Sequence, residues 1–92
     1  MTKLTDIEER VLPVSLAQLN GRVTIAIILA EHEPNPENQR LAWASVSAIE
    51  EEIALHKDAS EQERNIGRRG AIEAAIKAEL YGRAKHLSDT MG

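Results

Sequence analysis

The residues of this chain best suited to chemistry lie in two places. The first is Arg64-Asn65-Ile66-Gly67-Arg68-Arg69-Gly70, the most concentrated basic stretch of the sequence. Guanidinium groups present forked N–H donors that match phosphate and carboxylate oxygens. Arg64, Arg68 and Arg69, with Tyr81 further on, therefore make a candidate anion site that would capture a phosphate-containing molecule such as a nucleotide between subunits. The segment is not a P-loop, which needs a following Lys-Ser or Lys-Thr, nor a dinucleotide fingerprint placed after a strand. Local pairing is the simpler use of these charges, because Arg69 lies four residues before Glu73, and Glu79 four before Arg83. Arg69 and Glu73 fall on the expected core side, where ions must be matched.

The second place is the polar strip Ser45, Glu52 and His56. At about 100° per residue it falls between two apolar stripes, one of Leu41, Ala48 and Leu55, the other of Ala42, Val46, Ile49 and Ile53. Glu52 could orient His56 for proton transfer or metal ligation. The plainer reading, and the preferred one, is a gap between neighbouring helices or a pair that closes the end of its helix. Di-iron bundles use Glu-x-x-His on paired helices, whereas the spacing here is Glu-x-x-x-His without a second copy. His32 and His86 belong to separate regions, so neither a metal site nor a cofactor is expected. Glu50 and Glu51 read as a solvated face. Trp43 sits at the outer edge of the second stripe and, in a chain without Phe, is a candidate interface hot spot.

Composition narrows the function classes. A chain of 92 residues has room for one domain, here residues 1–92, and little room to enclose a pocket. With no Ser-His-Asp order in context and no distinctive carboxylate pair, an enzyme is the least supported class. Cysteine is absent, which removes disulfides and thiolate chemistry. The net charge of −4 argues against nucleic acid as a partner, since that affinity comes largely from cations meeting phosphates. The dense apolar run Val23 to Ala30 is too short to span a bilayer and follows no basic signal-peptide start. A cytoplasmic protein without a membrane partner is expected.

These residues must be positioned by helices. Thr5 with Glu8, and Ser60 with Glu63, match the capping box that opens a helix. Leu12, Leu16, Leu19, Val23, Ile27 and Ala30 follow helical spacing, although Pro13 interrupts and Asn20-Gly21 lies in the middle. Folded about Asn20-Gly21, residues 12–30 would instead make a β-hairpin. Helix is preferred because no third strand completes a sheet, and Gly21 then marks a kink or break. Glu31 to Pro36 is a loop, with Asn35 as N-cap and Pro36 at the first helical position. A second helix is expected from Pro36 to Lys57 and a third, unbroken, from Ser60 to Leu87.

The third helix has two packing faces. Ile66, Ile72, Ile76, Leu80, Ala84 and Leu87 make the expected core stripe against the second helix. Gly67, Ala71, Ala74 or Ala75, Ala78 and Gly82 make a ridge almost without bulk, which admits a closely approaching helix. The ridge is thus left for the amino-terminal segment, a target or a second copy. The expected fold is all-α: an antiparallel hairpin of two long helices with a kinked amino-terminal helical segment, completed by oligomerisation; α+β with an amino-terminal hairpin is the alternative. The expected function is a non-enzymatic, homo-oligomeric helical module that binds or blocks another macromolecule. Regulators, antitoxin-like proteins and inhibitors encoded by phages or mobile elements share this description as a class.

Overall fold

The computed structural model describes residues 14–91. Among them are four helices and no strand: α1 (Leu16–His32), α2 (Pro36–Leu55), α3 (Glu61–Lys77) and α4 (Tyr81–Met91). The all-helical expectation therefore holds over these residues, while the Thr5–Glu8 capping box and Pro13 lie outside them.

Each of the first three helices opens on a side chain that accepts an otherwise unpaired backbone N–H. In α1 that residue is Ser15, whose hydroxyl accepts from the Gln18 N–H while Gln18 Oε1 accepts from the Ser15 N–H, both at 3.1 Å. This capping box was not among those read from the sequence, because Gln rather than Glu closes it. α2 begins as expected, with Asn35 Oδ1 accepting from the Asn38 N–H at 3.0 Å and Pro36 in the first turn. α3 opens on the Ser60–Glu63 box.

The hairpin alternative for residues 12–30 is overturned where the chain is described. α1 runs unbroken through Asn20 and Gly21, and the Thr24 hydroxyl donates back to the Asn20 carbonyl at 2.9 Å. The stripe of Leu19, Val23 and Ala30 decides this by burying one side of a helix, with Leu16, Ala26 and Ile27 at its margins. Gly21 marks no break in the helix.

The expected unbroken third helix is also corrected. α3 stops at Lys77, and α4 starts at Tyr81. The Leu80 N–H donates to the Ala75 carbonyl at 2.8 Å and the Glu79 N–H to the Ile76 carbonyl at 2.9 Å, the paired bonds of a Schellman ending. Glu79 holds the left-handed position with φ of 61°. Glycine usually fills that position, so periodicity alone carried the helix straight through it.

α2 is the middle element, in contact with both α1 and α3, while α3 also contacts α4. Along the α2–α3 contact, Ala54 and Glu50 meet Gly67, Glu50 meets Gly70, and Ser47 meets Ala71. Residue numbers fall along α2 as they rise along α3. A Cβ added at Gly67 would lie 2.8 Å from the Glu50 carbonyl oxygen and 2.9 Å from the Ala54 nitrogen, so backbone meets backbone there with no space for a side chain. Ala71, Ala74, Ala75 and Ala78 are buried along the same side.

The assignment of faces on α3 is therefore reversed. The small ridge meets the chain's own second helix, whose facing Ser47 and Ala54 are small as well, and small against small is what lets the axes close up. Ile66 and Ile76, expected in the core, are 60% and 49% exposed, and Leu80 is exposed too. Gly82 does not belong to the ridge: it is exposed, beyond the break, and nothing lies within 4 Å of where its Cβ would be. Along its thinnest axis the Cα trace spans 20 Å, about two helix diameters, so most large side chains have only one layer to enter.

Two of the helical glycines, Gly67 and Gly21, should respond oppositely to alanine. Gly67→Ala gains about 1 kcal/mol of helix propensity but must push two backbones apart, an overpacking cost of about 1–3 kcal/mol, and net destabilisation is expected. Gly21→Ala meets open space and should stabilise by about 1 kcal/mol, roughly 4–8 °C in Tm for a domain of this size. Thermal unfolding followed by circular dichroism checks both.

Candidate functional site

The polar strip does not form a site. Ser45 and Glu52 are exposed, as are Leu41, Ala48 and Leu55 of the first stripe. The second stripe behaves as expected, with Val46 and Ile53 buried and Ala42 and Ile49 half-buried. His56 closes α2 and turns towards the start of α1: its Nε2 donates to the Val14 carbonyl at 2.8 Å and its Nδ1 accepts from the Asp58 N–H at 3.1 Å. These two bonds select the neutral tautomer protonated on Nε2. Among the described residues no group of three or more His, Asp or Glu side chains is placed to hold a metal ion.

The candidate anion residues are not gathered either. Arg64 directs its Nη2 to the His56 carbonyl at 3.5 Å, and Arg69 lies exposed in an open cleft beside Glu61. Arg68 is half-buried, and exposed Tyr81 stands on α4 beyond the break. The expected local pairs give way to others. Glu79 meets Arg40 at 3.1 Å and Arg83 meets Glu51 at 2.8 Å, because the turn at Ala78–Leu80 takes Glu79 and Arg83 out of helical register. Arg69 and Glu73 are both exposed and form no ion pair with a described residue.

Sequence reasoning missed a buried polar junction. Ser47 is fully buried; its hydroxyl donates to the Ala71 carbonyl at 2.7 Å and accepts from Arg83 Nε at 2.9 Å, while Arg83 Nη2 reaches Glu51. One arginine thereby fastens α4 to α2, with Ala84 and Leu87 buried around it. No sequence signal marks Ser47, since the residues that satisfy it are 24 and 36 positions away.

Two expectations on α2 are corrected. Trp43 lies in the core cluster with Leu19, Val23 and Val46 rather than exposed at the edge of its stripe as an interface hot spot would be, and the Lys77 ammonium rests 4.2 Å from its ring centroid. Glu50, expected in solvent, is only 8% exposed. Burial first, and the nearby Glu73 second, push its carboxyl above the ordinary carboxylate range.

Among the described residues, the outer face of α1 gathers several exposed apolar side chains. Ile25, Ile28 and Leu29 are 61%, 51% and 62% exposed and fall within about 100° of helix surface. The buried stripe of Leu19, Val23 and Ala30 lies on the opposite side of the same helix. On α3, by contrast, Arg69 and Glu73 lie between Ile66 and Ile76 on the exposed side. No described helix is long and apolar enough to cross a membrane. Comparison with protein-family models, curated proteins and solved structures finds no match to this chain.

A carboxyl with a raised folded-state value holds its proton more tightly when folded than when unfolded, so its favourable contribution is full below the unfolded value near 4.5 and is lost as pH rises through the folded value. Glu50→Gln, which keeps the shape without the charge, should raise Tm at neutral pH. The gain should shrink on acidification and vanish towards pH 4.5 and below. Unfolding midpoints of both proteins across this range check the sign.

Proposed function

We propose that this protein is a non-enzymatic helical module that self-associates and acts by binding another macromolecule. In this reading α2 and α3 form an antiparallel hairpin with α1 laid on α2, and a second copy covers the outer face of α1.

The observation that carries the reading is the pair of apolar faces on α1. Three aliphatic side chains on one short stretch, each more than half exposed, would each gain roughly 1.5–3 kcal/mol if fully buried. Contiguous patches of this kind mark contact surfaces. A partner helix meeting them at i, i+3 and i+4 would complete the layer that a body two helices thick lacks. Phosphate capture is the weaker reading, because Arg64, Arg68, Arg69 and Tyr81 share no cleft.

Light scattering coupled to size exclusion tests this. At high micromolar concentration the native chain should show a mass above that of the monomer. Ile25→Glu with Leu29→Glu should return it to monomer without loss of helical circular dichroism, since both side chains point away from the core. A monomeric native protein, or a multimer that survives the double substitution, would overturn the reading.

A further inference from the structure

Over α2, between α1 on one side and α3 on the other, lies a half-open cavity of about 140 Å³ whose wall includes Glu31, Trp43, Glu50, Gly70, Glu73 and Lys77. Glu50 is more than nine-tenths buried, and it makes no hydrogen bond or ion pair with any described residue. No fully enclosed polar side-chain atom among the described residues lacks a partner. The Glu50 carboxyl oxygens therefore keep some open surface, and the cavity is what they open on. Gly70 leaves the space into which that carboxyl fits.

The wall is electrically unbalanced. Glu31 comes from α1, Glu50 from α2, and Glu73 and Lys77 from α3, so three acidic groups face one basic group. Lys77 does not neutralise them: its ammonium lies over the Trp43 ring and within ion-pair distance of no described carboxylate. Burying a carboxyl without a partner is costly. The missing complement is a cation that donates hydrogen bonds and also tolerates the indole and the apolar wall.

We propose that this cavity is a binding site for a guanidinium head group, held by the Glu50 and Glu73 carboxylates and stacked on Trp43. A guanidinium is planar, weakly hydrated and forked, so it can meet carboxylates at its edge and an aromatic ring with its face. The volume suits such a head with a short stem and is well under the roughly 300–1,000 Å³ of drug-sized ligand sites. The Lys77 ammonium already occupies the ring and competes with the incoming cation. Two sources present such a head group, a free small molecule and an arginine side chain. This site is separate from the outer face of α1 and does not rest on self-association.

Trp43 is the single tryptophan of the chain and lines this cavity, so its fluorescence responds to an occupant there. The full-length protein is titrated at mildly alkaline pH and constant ionic strength with methylguanidinium, with N-acetyl-arginine amide and with sodium as control. A saturable change with either guanidinium compound and none with sodium is expected; response to methylguanidinium alone assigns a free small cation, and tighter binding of the arginine amide assigns an arginine side chain. Glu50→Gln, which keeps the fold, should weaken binding about tenfold or more, the loss expected on removing a charged hydrogen-bond partner. Lys77→Met should strengthen it by removing the competitor. No saturable response up to tens of millimolar, or equal binding by Glu50→Gln, would overturn the proposal.

Discussion

The fold depends on the close approach of α2 and α3. At Gly67 the two backbones come within side-chain contact distance of each other, and only this separation brings the Ser47 hydroxyl to 2.7 Å from the Ala71 carbonyl. The contact is made of glycine, alanine and serine, so it contributes less apolar area than a contact between leucines. Its stability comes from close packing and a satisfied buried hydroxyl. Because the small side of α3 is spent here, Ile66 and Ile76 turn outward and Ile72 is only half-buried.

The break at Ala78–Leu80 extends this arrangement to the end of the chain. A helix continuing from Lys77 would carry Arg83 and Leu87 onward along the α3 axis. The Schellman turn redirects the chain, Leu87 becomes buried, and Arg83 returns to Ser47 and Glu51. A non-glycine residue in left-handed backbone costs roughly 1–2 kcal/mol. The Arg83 junction and the burial of Ala84 and Leu87 offset that strain, and the Arg40 contact with Glu79 adds to them at the surface.

The same thinness explains both features with functional promise. A two-layer body gives α1 one neighbour on its inner side and leaves Ile25, Ile28 and Leu29 uncovered. It also leaves a cleft over α2 between α1 and α3, and there Glu50, Glu73 and Lys77 line a small space beside Trp43. One feature is an open apolar surface and the other a half-open recess with an acidic wall. They ask for partners of different chemistry.

Much of the secondary structure was determined by the sequence alone, because caps, prolines and a 3.6-residue apolar period act within a few residues of one another. Asn35, Pro36 and the Ser60–Glu63 box placed two helix starts, and the Leu16 to Ala30 stripe outweighed Asn20-Gly21. The small-residue and large-residue stripes of the third helix were equally legible. Which face turns inward was not, since periodicity identifies stripes but does not state how near two axes come. Tertiary structure decided that small residues meet small, that Glu79 ends a helix although glycine usually fills that position, and that Trp43 and Glu50 go inside while Ser45, Glu52 and Gly82 stay out. Those outcomes depend on contacts between residues far apart in sequence, such as Ser47 with Arg83 and Gly67 with Ala54, which only the packed chain brings together.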